Sequence, residues 1–111
     1  MSGISSMTPR EFFDHWPDFG SNSDVLLLDV REPDELRVAA VDGTLNIPMA
    51  QIPGRLDELS RQKTIVVMCH SGVRSMQVAG FLCQQGFGHV VNLDGGIDAW
   101  SREVDSKIPT Y

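Results

Sequence analysis

Residues 64–83 read TIVVMCHSGVRSMQVAGFLC. The segment from Thr64 to Met68 is a nearly continuous apolar run, which is typical of a strand buried on both faces of a parallel sheet. From Met76 to Cys83, small or apolar residues recur at i, i+3, i+4 and i+7, so a mostly buried helix is expected there. A polar loop lies between the two. Strand, loop and helix in this order predict a unit of a parallel α/β sheet.

The same alternation continues through the rest of the chain. Strands are predicted at residues 25–30, 45–47 and 90–93, with a short edge strand at Ile4 and Ser5. Helices are predicted after a capping box at residues 8–11, at 33–40, across Ile52, Leu56 and Leu59, and after Gly95 and Gly96. This order of elements predicts an α/β fold of three layers, in which helices cover both faces of a central, mostly parallel sheet.

Length, composition and charge restrict the class of protein. The 111 residues, 41% of them hydrophobic, fit a single domain over residues 1–111, with a loosely packed tail at 107–111. The net charge of -6 argues against binding to nucleic acid or anionic lipid. Neither a membrane-spanning run nor a signal peptide is recognisable, so a cytoplasmic location is expected. No metal site and no cofactor are expected, and the two cysteines are too few for a disulfide scaffold.

The polar loop, Cys69 to Ser75, has the composition of an anion-binding site. In open parallel sheets, ligands bind beyond the carboxyl ends of the strands, and Cys69 follows such an end. Gly72 permits a tight turn that directs backbone N–H groups at one point. The positive end of the next helix and the charge of Arg74 add to the field. These features favour a thiolate at Cys69, which is the nucleophilic form of cysteine.

The loop resembles the active-site loop of rhodanese-like domains, which typically reads C-x-x-G-x-R-S. Three further segments resemble family motifs in the same order along the chain: LLDVRE at 27–32, GTLNIP at 43–48 and DGGIDAW at 94–100. Because four matches occur at the usual separations, the likeness covers nearly the whole chain. The sequence departs from the usual motifs at residues 40–42, which lack the frequent histidine, at Thr44, where alanine is common, and at His70, where arginine is frequent.

The resemblance implies a sulfurtransferase that carries a sulfane sulfur as a persulfide on Cys69. Its donor is thiosulfate or a similar small molecule, and its acceptor is cyanide, a thiol or a protein. The implied catalytic residues are Cys69 and Arg74. The other loop residues are expected to bind the persulfide: His70, Ser71, Gly72, Val73 and Ser75. Asp29 and Arg31 are expected to support the pocket, with Asp29 paired to Arg74 or Arg31, or merely capping a turn.

Several alternatives remain open at this stage. His70 is a possible general base, and Cys83 is either a second reactive thiol or, as its helix favours, a buried inert one. Related folds also carry phosphatase or arsenate reductase activity, but those phosphatases place five residues between cysteine and arginine, whereas four separate Cys69 from Arg74. The remaining alternative is a non-catalytic module that binds a partner; such modules usually lack the cysteine.

Overall fold

A computed structural model describes residues 4–111 of the chain. It contains five strands, numbered β1 to β5 in chain order: Ser5–Met7, Val25–Asp29, Leu45–Asn46, Thr64–Met68 and Val90–Leu93. They form one sheet in the order β1-β5-β4-β2-β3, and every strand pair in this part of the chain is parallel. The predicted α/β sheet is confirmed.

Four α-helices connect or follow the strands. In chain order, α1 to α4 are Pro9–His15, Pro33–Val38, Val73–Gln84 and Gly96–Glu103. The predicted capping box starts α1: the Thr8 hydroxyl accepts from the Glu11 N–H at 3.1 Å, and the Glu11 carboxylate accepts from the Thr8 N–H at 2.8 Å. Within residues 4–111, none of the helices combines the length and the apolar character needed to cross a bilayer.

The side chains of β4 alternate between two hydrophobic cores. Ile65 and Val67 pack with α3 on one face of the sheet, whereas Val66 and Met68 pack with α1 and α4 on the other. All four are fully buried. The continuous apolar run in the sequence is explained by this position, because a central strand of a parallel sheet is covered on both faces.

The helix predicted across Ile52, Leu56 and Leu59 is instead two 3-10 helices, Met49–Gly54 and Leu56–Glu58. Their hydrogen bonds run from residue i to residue i−3, for example from the Arg55 N–H to the Ile52 carbonyl at 3.0 Å. Pro53 lies inside the first of them and has no N–H to donate, which opposes a regular α-helix. Ile52 and Leu59 are nevertheless buried, as the apolar spacing predicts.

Candidate active site

The loop after β4 is tightly turned and lies at the carboxyl edge of the sheet, between the ends of β2 and β5. Cys69 follows β4 directly, and α3 begins at Val73. Gly72, between them, has a φ of 105°, in the left-handed region that side chains disfavour. A Cβ at this position would also lie 3.2 Å from the backbone nitrogen of Gly95. The turn therefore requires glycine both for its conformation and for its close approach to the next loop.

Helix α4 holds this loop from the other side. Its first N–H groups, which have no partners within the helix, donate to carbonyls of the loop. The Ile97 N–H bonds the Cys69 carbonyl at 2.9 Å, and the Asp98 N–H bonds the His70 carbonyl at 3.2 Å. The helix can approach so closely because Gly96 carries no side chain: a Cβ there would collide with both carbonyls. The Gly-Gly motif thus fixes the loop that carries Cys69.

The Cys69 thiol is buried and surrounded by hydrogen-bond donors. Cys69 is only 1% exposed. Its Sγ accepts from the Gly72 N–H at 3.1 Å and lies 3.3 Å from the Ser75 hydroxyl oxygen. Burial by itself raises the pKa of Cys69, but the contact with the Ser75 hydroxyl and the N–H groups of Ser75, Gly72 and Ser71 outweigh it and lower that pKa overall. The loop therefore favours the thiolate.

A buried polar chain continues from this sulfur into β5. The Ser75 hydroxyl donates to the Asn92 side-chain oxygen at 2.5 Å, and the Asn92 amide nitrogen lies 3.4 Å from an Asp94 carboxylate oxygen. Ser75 is fully buried and Asn92 is 2% exposed. Because a buried hydroxyl needs a partner, Asn92 keeps Ser75 beside the sulfur. Sequence reasoning missed Asn92, since one polar residue within a strand carries no functional signal of its own.

Arg74 makes a bidentate ion pair with Glu35 of α2. Its two terminal nitrogens lie 2.8 and 2.7 Å from the two carboxylate oxygens. The Glu35 carboxylate raises the pKa of Arg74, and the Cys69 sulfur raises it further. Sequence reasoning missed Glu35 because its position in the first turn of α2 is explained by capping, and its carboxylate does accept from the Glu32 N–H at 2.9 Å. The partner of Arg74 is therefore a residue of another element.

Asp29 pairs with Arg31 and not with Arg74. The Asp29 carboxylate accepts from the Arg31 Nη2 at 2.7 Å and from the Arg31 Nε at 3.0 Å, and both side chains are fully buried. Arg31 also donates to the Ala39 carbonyl at 2.9 Å. These two residues link the end of β2 to the end of α2. A supporting role of this pair at the pocket remains a prediction from the sequence.

Within the tail at residues 107–111, Tyr111 is docked against the site, although the sequence predicts loose packing of the whole segment. The Tyr111 hydroxyl accepts from Arg31 and donates to Glu35, both at 2.9 Å. Its ring is stacked on His70, with centroids 4.0 Å apart and planes 6° apart. The prediction failed because Pro109 and the polar residues around it give no periodic signal, whereas Tyr111 is held by through-space contacts that a local pattern does not contain.

The contacts found for the His70 side chain within residues 4–111 are with Asp98 and Tyr111, not with the Cys69 sulfur. Its Nε2 lies 3.2 Å from a carboxylate oxygen of Asp98 in α4. The two atoms are buried and close enough for an ion pair, although their geometry does not satisfy a hydrogen bond. One face of the ring is covered by Tyr111. The side chain therefore joins the loop to α4 and to the tail.

The buried face of α3 differs from the predicted one at Met76 and Cys83. The buried residues are Ser75, Val78, Ala79 and Leu82, whereas Met76 is 39% exposed and Cys83 is also exposed. The helix is rotated so that Ser75 points to the Cys69 sulfur, which turns Met76 and Cys83 outward. Cys83 is thus not the buried thiol that its apolar surroundings suggest. It lies eight residues beyond Ser75, about 12 Å along the helix axis, so it is badly placed to resolve a persulfide on Cys69.

Residues 18–103 match the family model of the rhodanese-like domain. The chain belongs to this family. The match includes the loop, the Asp29–Arg31 pair and all of α4, but not Tyr111. The family membership agrees with the resemblance noted in the sequence.

Two curated relatives are similar in length to this chain. The chain is 46% identical over 79 residues to a sulfurtransferase of Allochromatium vinosum, covering 71% of this chain and 74% of the relative. It is 32% identical over 76 residues to the thiosulfate sulfurtransferase GlpE of Shewanella oneidensis, covering 68% and 75%. Other relatives are longer proteins, of which the chain spans 27 to 30%.

A solved structure shows the same rhodanese-like fold. The crystal structure of a rhodanese-related protein from Thermoplasma volcanium superimposes with a TM-score of 0.79 at 30% identity. The superposition covers 91% of this chain and 94% of that protein. The parallel sheet and its helices are therefore those of the family.

The thiolate of this rhodanese-like site gives a first prediction. In a Cys83→Ser background, which removes the exposed thiol, Cys69 should titrate below the reference thiol value of about 8.5. The measurement is the ultraviolet absorbance of the thiolate as a function of pH. Ser75→Ala should raise the midpoint, because the hydroxyl is the strongest single group that lowers it.

Ser71→Ala is the matched control for that titration. The Ser71 side chain is exposed, while its backbone N–H, which supports the thiolate, is retained in the variant. Its midpoint should equal that of the parent. A parent midpoint at or above the reference value, or equal shifts in the two variants, would contradict the assignment.

Proposed function

We propose that this rhodanese-like domain is a sulfurtransferase in which Cys69 accepts a sulfane sulfur from thiosulfate or a similar donor and passes it on as a persulfide. The observation that carries the proposal is the position of the Cys69 sulfur, at the centre of a tight loop whose N–H groups favour negative charge on it. The names of the relatives, sulfurtransferase and thiosulfate sulfurtransferase, support the same chemistry.

The reaction has two displacement steps on sulfur. The Cys69 thiolate attacks the outer sulfur of thiosulfate, a new S–S bond forms, and the old S–S bond breaks with its electron pair leaving on sulfite. A nucleophile such as cyanide then attacks the outer sulfur of the persulfide, giving thiocyanate and regenerating the thiolate. The charge balances in both steps, and neither step needs an external oxidant or a proton.

The loop supplies the electrostatics of both steps. The negative charge lies on the Cys69 sulfur in the thiolate and on the outer sulfur, one bond away, in the persulfide, so the N–H groups of Ser71, Gly72 and Ser75 are close to it in both states. Since the lowered pKa of Cys69 increases the fraction of thiolate, the proposed reaction uses no general base. This agrees with the position of His70, whose Nε2 faces Asp98.

The size of the loop favours sulfur over phosphate. Four residues separate Cys69 from Arg74, and the turn at Gly72 is closed tightly against Gly95. A phosphate or arsenate presents several oxygens that must all reach a ring of N–H groups, whereas a persulfide adds one terminal sulfur. The short loop, with its small ring of N–H groups, therefore fits the single outer sulfur of a persulfide better than a phosphate.

The test is mass spectrometry of the protein after incubation with thiosulfate. We expect one added sulfur atom on the peptide that contains Cys69 and its loss after cyanide is added. A protein that remains unmodified by thiosulfate and by other sulfane-sulfur donors would refute the proposal and favour a partner-binding module.

A second prediction separates the two enzyme classes. Wild-type protein should produce thiocyanate from thiosulfate and cyanide and should show no significant hydrolysis of an aryl phosphate. Both assays are run on the same preparation, with Cys69→Ser as the blank for each. Phosphate release that depends on Cys69, without sulfur transfer, would assign the site to the phosphatase class.

A further inference from the structure

Three basic side chains at or behind the loop do not present free positive charge. Each lies against a carboxylate from a neighbouring element, in the pairs Arg74–Glu35, Arg31–Asp29 and His70–Asp98. The first pair is the one nearest to the reacting sulfur in electrostatic terms, because the Cys69 charge raises the pKa of Arg74. The cationic residue of the family loop is thus largely neutralised in this chain.

The Glu35–Arg74 ion pair is held by several independent contacts. It is bidentate, at 2.7 and 2.8 Å, and the two side chains are 20% and 31% exposed, respectively. Hydrogen bonds from Arg74 hold the pKa of Glu35 at about 2, so the carboxylate stays charged at any working pH. Tyr111 donates to the same carboxylate at 2.9 Å and restricts its rotation. Arg74 is therefore held in one position, facing a fixed negative charge.

The net charge of the site should affect the binding of a sulfur donor according to the charge of that donor. The attacking Cys69 is an anion, so a donor is repelled in proportion to its own charge unless a cation compensates. The backbone N–H groups supply only partial charges, and they already bind the Cys69 sulfur. Thiosulfate carries two negative charges, whereas an organic persulfide or a thiosulfonate carries one. When Glu35 neutralises the charge of Arg74, the binding of a dianionic donor is weakened more than that of a monoanionic donor.

We propose, as a refinement that depends on the proposed sulfur transfer, that Glu35 is a positioning residue which holds Arg74 as a neutral pair and so biases the Cys69 site towards monoanionic sulfane-sulfur donors and against dianionic ones. The favoured substrate class is an organic persulfide or thiosulfonate. Thiosulfate remains a donor, with weaker binding.

Methanethiosulfonate is a suitable monoanionic probe. It differs from thiosulfate by a methyl group in place of one oxyanion. The Cys69 thiolate attacks its outer sulfur, an S–S bond forms, and the original S–S bond breaks with its electron pair leaving on methanesulfinate. Two negative charges enter the reaction and two leave it, so the step balances without another reactant.

The experiment compares kcat and KM for the two donors, with cyanide as acceptor, in wild type and Glu35→Gln. Glutamine retains the helix cap and an oxygen for Arg74 but removes the negative charge. The ratio of kcat/KM for thiosulfate to that for methanethiosulfonate should rise about tenfold, the scale of one unit charge at close range under partial screening. The change should lie in the KM for thiosulfate. In Glu35→Gln, the KM for thiosulfate should also depend more strongly on salt concentration, because the unpaired Arg74 attracts the dianion.

Asp34→Asn is the matched control. It removes the same charge from the same helix, but Asp34 is 89% exposed and pairs only with Arg37 at the surface. Its donor ratio should stay within about twofold of wild type, as expected for a screened surface charge. An unchanged ratio in Glu35→Gln, or an equal loss with both donors, would overturn the role of Glu35 while leaving sulfur transfer intact. Failure of both donors to add sulfur to wild-type Cys69 would instead overturn the proposed function itself.

Discussion

Replacing Cys69 with serine is expected to reduce thiocyanate formation to background, a loss of more than about a thousandfold, as is common when a nucleophile is removed. The hydroxyl of serine is not ionised at neutral pH and cannot form a persulfide. The measurement is turnover with thiosulfate and cyanide, together with circular dichroism to confirm that the variant is folded. A folded Cys69→Ser protein with near-normal turnover would eliminate the persulfide mechanism.

Cys83→Ser is the matched control for this loss. The same atom is replaced, but the side chain is exposed on the outer face of α3, away from the loop. Most of the activity should remain. A parallel loss in Cys83→Ser would show that both thiols take part in the transfer, contrary to their separation in the structure.

Replacing Gly96, the first residue of α4, with alanine is expected to displace the loop that carries Cys69. A Cβ at this position would lie 2.6 Å from the His70 carbonyl oxygen and closer still to the Cys69 carbonyl, and the φ of 58° is itself unfavourable for alanine. Together these effects should lower the free energy of unfolding by about 2–5 kcal/mol. The melting temperature should fall by about 10 °C or more, and sulfur transfer should fall at temperatures where the variant is still folded.

Gly80→Ala is the control for that substitution. Gly80 lies within α3, and a Cβ there meets nothing within 4 Å. Because alanine is the better helix former, the variant should be more stable by about 0.5–1 kcal/mol and fully active. If Gly96→Ala melted and turned over like wild type, α4 would not be what holds the loop.

Local patterns were sufficient to predict the sheet and the place of Cys69 in the loop after β4. The buried run that ends at Met68, the glycine turn at Gly72 and the Gly-Gly motif before α4 each have their cause within a few residues of the chain. The resemblance to rhodanese-like domains is carried by these same segments. They also define the position of Cys69 at the carboxyl edge.

The partners of the site residues could not be predicted in this way. Glu35, Asn92 and Tyr111 act through contacts with residues far away in the chain, and each has an ordinary local explanation as a cap, a strand residue or part of a tail. The orientation of α3 was predicted wrongly for a related reason. Its sequence permits two apolar faces, and the requirement that Ser75 meet Cys69 selects between them.

The strand order has a consequence for how the chain folds during synthesis. The edge strand β1 pairs with β5, and Ser5 lies opposite Val91. Strand β1 therefore cannot pair until nearly the whole chain has been synthesised. Cys69 is made before α4, whose N–H groups hold its loop. During synthesis on the ribosome, Cys69 therefore emerges before the helix that holds its loop. Contacts this distant in the chain also slow folding. The nascent domain thus passes through a period in which the loop that carries Cys69 lacks the support of α4.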